Sequence, residues 1–270
     1  MSNDSSLCFR RFRKKHTELS RLYWGYVLSQ EATVKCLASA KPTDYAVDAV
    51  GPSFSRGMLA VTVADYIASA EEMLSRTRLH LLVVCSANVE AYLKEITFAH
   101  LASKGHSKSH LKLDAIGDAL GAPILDRSSL PDPLEYAESL FQVVLGKPRT
   151  DWNHFYKLRC ALAHNGGVVT ARTLREIPTL KLPLNSLIGL TWPELFSALE
   201  AADKIVEIID KKVRCKDLKR SEIAKELAYL KEAKKLPPKK DVWKFLHEEF
   251  GLTNTKQPFK DFVHAEFYRP

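Results

Sequence analysis

Residues 152–167 read WNHFYKLRCALAHNGG, and the way this stretch begins and stops decides the reading of the chain. At about 100° per residue, Trp152, Phe155 and Leu162 fall within one arc of a helix, and Arg159 falls in that arc with them. An arginine is therefore aimed at the apolar face. His164 points to another side of a straight helix, in the last turn, because Asn165, Gly166 and Gly167 are residue types that end helices in left-handed geometry.

Working outward, the periodicity of the chain is helical. Phe9 to Ala40 has Leu19, Leu22, Tyr23, Tyr26, Val27 and Val34 close to helical spacing, behind a basic beginning. Lys41, Pro42, Gly51, Pro52 and Gly57 punctuate a link. Met58 to Lys104 reads as two helices or one broken helix, and Leu82, Val89, Leu93 and Ile96 form a stripe at steps of three and four. Glu90 is the anomaly in that stripe's neighbourhood. A buried carboxylate needs a cationic or donor partner, for which Arg159 is the natural candidate; the alternative is that Glu90 reaches solvent at the helix edge.

Asp132-Pro133-Leu134-Glu135 has the form of a capped helix start, with a helix running to about Leu145 before Gly146 and Pro148. Thr150 or Asp151 is the expected cap of the central stretch. After it, Val168, Val169 and the alternating Leu180, Leu182 and Leu184 suggest short extended segments and a small hairpin. Thr191-Trp192-Pro193-Glu194 is a second capping box, and the helix it starts carries Leu195, Leu199, Ala202, Val206, Ile209 and Val213 as one stripe. Beyond it, Ser221 to Lys235, Asp241 to Phe250 and Pro258 to Tyr268 read as three further helices.

Composition bounds the function. The chain has 270 residues and a net charge of +8. From Lys211 onward there are sixteen Lys and Arg against nine Asp and Glu, a net of +7, so nearly all the excess charge lies in the tail. Nucleic acid leads as a polyanionic partner, with Lys211, Lys212, Arg214, Lys239 and Lys240 as the candidate contacts; the alternative is a docking or dimerisation appendage whose lysines face water. The five cysteines are scattered, with no C-x-x-C pair, which speaks for reduced thiols rather than disulfides or a zinc cluster. His100, His106 and His110 lack the ordered carboxylate or cysteine a metal site wants, so no metal and no cofactor are expected. No apolar run approaches the roughly 18 to 20 residues of a membrane span, and Glu18 and Glu31 interrupt any signal or transit peptide. The expectation is a cytoplasmic protein without a membrane segment.

Arginine and histidine without a metal suit phosphodiester cleavage by internal attack in RNA. Histidine moves the proton, arginine stabilises the charged phosphorane, and the 2′-hydroxyl is the nucleophile.

At this point the chain resembles the HEPN superfamily, all-helical domains whose active members are metal-independent endoribonucleases marked by R-x4-6-H. The resemblance covers about residues 58–212. It rests on Arg159 and His164 in LRCALAHNGGVV, on the apolar helix with Glu90 in LHLLVVCSANVEAYLKEI, and on the long helix after Trp192. It implies an all-α, HEPN-like helical bundle with a small extended hairpin insertion and a basic helical C-terminal appendage. The implied domains are an N-terminal amphipathic helix and linker over 1–57, the HEPN-like domain over 58–212, and the appendage over 213–270. The resemblance further implies a homodimer in which two copies of the motif line one cleft, with Arg159 binding phosphate, His164 in proton transfer, and Glu90 and Asn165 supporting. Such domains frequently act as toxins or antiviral-defence effectors, with a protein partner from a defence or toxin–antitoxin system. In two places the sequence departs from the family: Cys160 follows the arginine where a polar residue, often asparagine, is usual, and Gly166 stands where some members carry a modifiable tyrosine. A non-catalytic adaptor that binds nucleic acid or a protein partner is the alternative reading.

Overall fold

A computed structural model describes residues 5–50, 60–105, 133–250 and 257–268. Gly51, Pro52, Gly57, His106, His110, Asp132 and Gly251, on which the sequence reading also drew, lie outside them. The described residues are mostly helical and contain no strand, so the fold is all-α. The helices are α1 (Leu7–Leu37), α2 (Ala46–Val50), α3 (Val63–Ser103), α4 (Pro133–Phe141) and α5 (Lys147–Asn165). They are followed by α6 (Ala171–Glu176), α7 (Trp192–Val213), α8 (Lys216–Glu232), α9 (Val242–Phe250) and α10 (Gln257–Phe267). Two compact units divide the chain, one comprising Met1–Lys14, Asn88–Arg149 and Asp203–Pro270, the other Lys15–Ala87 and Thr150–Ala202.

The stripes explain the long helices. Leu82, Val89, Leu93 and Ile96 of α3 are all buried, as are Leu195, Leu199, Ala202, Val206, Ile209 and Val213 of α7. The segment expected to break is one 41-residue helix. It contains neither glycine nor proline, and its polar part is tied down locally, as by Arg76 donating to Glu72 one turn earlier at 2.8 Å. On α1 the buried line is Phe12, His16, Leu19, Tyr23, Gln30 and Leu37, whereas Leu22 and Tyr26 of the expected stripe are exposed.

Helix boundaries differ from the sequence reading at α4, at α5 and at α8, the last running from Lys216 to Glu232 rather than from Ser221 to Lys235. α4 stops at Phe141, before Gln142 at φ 50°, and α5 begins at Lys147, before the expected caps Thr150 and Asp151. Glu138 is the reason: its carboxylate accepts the Leu145 N–H at 2.7 Å and also pairs with Arg149, fixing the turn and the first turn of α5 together. The expected hairpin is reduced to an isolated antiparallel bridge between Val168 and Leu187. The Val169 N–H donates to the Ser186 carbonyl at 2.9 Å and the Ile188 N–H to the Gly167 carbonyl at 2.8 Å. The partner of 167–169 is thus 185–188 rather than Leu180 to Leu184, and α6 lies between them.

In the first unit the tail helices share a core with the start of the chain. Leu7 packs with Ile223, Leu227, Val242, Leu246, Val263 and Phe267. Two buried carboxylates hold the N-terminus of α1. Glu222 accepts the backbone N–H groups of Leu7 and Cys8, each at 3.0 Å, and Asp210 accepts the Ser6 N–H at 3.1 Å and the Ser6 hydroxyl. These are orphan donors of a helix start, and negative charge is favourable there.

Burial pushes both carboxyl groups above their ordinary range, against the opposing effect of those N–H donors. Between the unfolded and the raised folded values the folded chain holds more protons, so stability is full at lower pH and is lost as pH rises through the folded values. Glu222→Gln removes its share of that dependence. Melting curves between about pH 5 and 7 are expected to show the parent losing stability with rising pH more steeply than the variant; parallel slopes would contradict the assignment.

Candidate active site at the end of helix α5

The buried face of α5 is Trp152, Phe155, Leu158 and Ala161. Its axis passes nearer Leu158 than the sequence arc suggested, which leaves Arg159 and Leu162 half-buried at the edge. The Arg159 guanidinium lies over the Tyr156 ring, 5.4 Å from its centroid, on the preceding turn. Arg159 Nη1 is 4.0 Å from Cys160 Sγ, so the cysteine that follows the arginine touches it directly. A thiol is a weak hydrogen-bond partner at that distance.

His164 is exposed in the last turn. Gly166 and Gly167 follow at φ 61° and 79°, the left-handed region. The Gly167 N–H closes back on the Ala161 carbonyl at 3.4 Å, and the Val168 N–H donates to the Asn165 carbonyl at 3.1 Å. Asn165, half-buried, is therefore the residue on which the helix stops. Immediately after this turn, Thr170 caps α6 in a reciprocal box with Thr173.

Two cavities flank α5 within the second unit. One, of about 790 Å³, takes His154 and Leu158 into its wall; the other, of about 530 Å³, takes Leu162, Ala163, Gly166 and Gly167 together with His80 of α3. Neither Arg159 nor His164 lines either cavity. In the second groove the imidazole of His80 is oriented by a 2.8 Å hydrogen bond from Nδ1 to the Arg76 carbonyl, an oxygen that can only accept.

Of the sequence-derived candidates, Arg159, His164 and Asn165 sit on one helix of the second unit. Glu90, half-buried on α3, belongs to the first unit. So do Lys211, Lys212, Arg214, Lys239 and Lys240, all exposed. Lys211 pairs with Glu207 at 2.8 Å across one turn, both side chains largely in solvent. Among the described residues no group of three or more His, Cys, Asp or Glu is arranged to hold a metal ion, and no helix is long and apolar enough to cross a membrane.

Comparison with protein-family models, with curated proteins and with solved structures finds no match to this chain.

Several buried polar side chains escaped the sequence reading, Arg78 among them. Arg78 of α3 is 6% exposed and donates through Nε to Tyr23 Oη at 3.1 Å and through Nη1 to the Leu190 carbonyl at 3.1 Å and to Glu71 at 2.7 Å. Its signal was in the sequence: it stands four residues before Leu82, on the stripe, just as Arg159 stands on the arc of Trp152.

The glycine turn is the feature on which the exposure of His164 depends. A Cβ on Gly167 would sit 3.2 Å from Leu162 Cδ1 in a backbone conformation L-residues avoid. Gly167→Ala is expected to cost about 1–2 kcal/mol of stability, read by denaturant unfolding; a cost within error of zero would show that the turn is not what ends the helix.

Proposed function

We propose that the chain is a metal-independent endoribonuclease of HEPN type, cleaving RNA by attack of the 2′-hydroxyl. The observation that carries this reading is the pairing of Arg159 and His164 on one helix, the first half-buried beside Tyr156, the second exposed on the final turn before Gly166.

The roles follow from the chemistry. Arg159 binds the scissile phosphate and stabilises charge on the phosphorane; its planar guanidinium presents paired donors suited to phosphate oxygens. His164, free to approach a substrate from solvent, moves the proton of the 2′-hydroxyl or the leaving oxygen. Four residues lie between them, which directs the two side chains to different sides of α5, and neither lines either of the two cavities that flank α5. A cleft formed with a second copy answers both facts, so the working unit is a homodimer. Asn165 supports the helix end, and Glu90 is a supporting residue whose carboxylate is carried by α3. The exposed Lys211, Lys212, Arg214, Lys239 and Lys240 supply sequence-independent attraction for RNA. The reaction needs no metal or cofactor. Its setting is cytoplasmic, as a toxin or antiviral-defence effector acting with a protein partner of such a system.

The contact between Arg159 and Cys160 favours a second reading, a non-catalytic HEPN adaptor, because asparagine in that place would hydrogen-bond where a thiol hardly does. The adaptor predicts salt-sensitive binding to nucleic acid or a protein partner without turnover.

Purified protein is expected to cleave RNA in the presence of chelator, and His164→Ala to slow cleavage by about 100-fold or more with an unchanged melting temperature. Binding without cleavage by the parent would establish the adaptor; cleavage by the variant at the parental rate would exclude His164 from the chemistry.

A further inference from the structure

α1 carries an exposed seam as well as a buried one. Thr17, Arg21, Trp24, Leu28, Glu31 and Lys35 follow one another at alternating steps of four and three, and each of them is exposed. That alternation is the spacing at which one helix meets another along its length. The whole seam lies in the second unit. At its centre stand Trp24 and Leu28, one turn apart and 48% and 65% exposed. The apolar surface continues sideways onto α7: the Trp24 ring lies 5.0 Å from that of Trp192, which lies 5.9 Å from Phe196, itself 53% exposed. A single exposed leucine is ordinary, whereas a tryptophan, a leucine and a phenylalanine joined in one patch mark an interaction surface. Leu22 and Tyr26, also exposed, project from the other side of α1.

Gly25 points the same way. It stands in the interior of a 31-residue helix, where glycine is less favourable than alanine. A Cβ there would meet nothing within 4 Å, so no neighbour in the chain requires its absence. Gly25 and Ala32 run beside the seam on its outer flank, and small residues there let the axis of another helix come near.

The charges define the helix that fits. Arg21, Glu31 and Lys35 make no ion pair or side-chain hydrogen bond among the described residues. Laid antiparallel against a second copy, about a two-fold axis between Trp24 and Leu28, the seam is complementary to itself. Trp24 meets the partner's Leu28, Arg21 meets the partner's Glu31, and each pair occurs twice. Lys35 meets the partner's Thr17. On the flank Gly25 meets its own counterpart and Glu18 meets the partner's Ala32. A parallel pair would instead set Arg21 on Arg21 and Glu31 on Glu31, which is repulsive. Glu18 and Glu31 on this face also oppose a polyanion, so a protein helix fits it better than RNA does.

We propose that α1 is a self-association surface, along which two copies of the chain pair antiparallel over residues 17–35. Trp24 and Leu28 are the apolar anchors, and the Arg21 and Glu31 pairs set the direction. The surface lies outside residues 58–212, to which the HEPN resemblance extends, and is independent of the ribonuclease reading and of the cleft placed at α5.

Sedimentation equilibrium of the full chain over a concentration series tests it. The parent is expected to associate. Leu28→Asp, at a largely exposed position, is expected to weaken one association step by about tenfold or more, with helicity by circular dichroism unchanged. Arg21→Glu and Glu31→Arg each bring like charges together and are each expected to weaken the same step by about threefold or more. Combining those two exchanges the charges and is expected to restore the parental association to within about twofold. A parent that stays monomeric at about 100 µM would overturn the proposal and leave the face to a different protein. An association unaltered by Leu28→Asp would place the contact elsewhere and overturn it equally. A double variant as weak as the single ones would exclude the antiparallel pairing.

Discussion

Two successive left-handed glycines at the end of α5 set the arrangement of the second unit. A helix can stop there without a steric penalty, and the stop leaves His164 on an open last turn. The same turn reverses the chain so that 167–169 meet 185–188, with α6 capped between them by Thr170 and Thr173. That pairing brings Leu190 to α3, where Arg78 and Ser75 take its carbonyl and its amide. One local backbone conformation therefore determines both the exposure of the histidine and the wall of the neighbouring cavity. A side chain at Gly167 would meet Leu162 as well as a strained backbone, whereas at Gly166 the left-handed backbone alone opposes it.

The first unit rests on a different constraint. The start of α1 is buried, and a buried helix start exposes backbone donors that must be satisfied. Asp210 and Glu222 satisfy them from α7 and α8, so two carboxylates that are costly to bury become partners of N–H groups and of the positive end of a 31-residue helix. Arg11 extends the arrangement by pairing with Glu226 at 2.8 Å. The basic tail is thereby committed, on its inner side, to a core with Leu7, while Lys211, Lys212, Lys239 and Lys240 remain on the outside. Charge in the tail and packing in the tail are served by opposite faces of the same short helices.

How much of this was legible in the sequence depended on the range of the interaction. Stripes at steps of three and four located α3 and α7 and named buried residues correctly, because burial of one helix face is written into consecutive turns. The Thr191 and Glu194 pair likewise reads directly as a helix start, and Glu194 does return to the Thr191 N–H. What required knowledge of distant neighbours was not legible. The early end of α4 is set by Glu138 reaching Leu145 and Arg149. The partner of Val168 is Leu187 and not the alternating leucines between them. On α1, Leu22 and Tyr26 have the spacing of a core stripe yet face outward, since spacing alone cannot say which of two apolar arcs meets a neighbour. Arg159 was legible as an arginine on an apolar helix; that it lies at the edge of the buried face, over Tyr156 and against Cys160, was not. Arg78 carried the same kind of signal and was overlooked because no chemical motif surrounds it.

If Arg159 serves only phosphate binding and His164 only proton transfer, as proposed, the 2′-hydroxyl of the substrate must be the nucleophile. The most direct measurement maps the cut in a defined oligoribonucleotide and then repeats the digestion with a single 2′-deoxy residue on the 5′ side of that bond. Loss of cleavage at the substituted bond alone, with other bonds cut as before, is the predicted result. Cleavage there at the unsubstituted rate would contradict it.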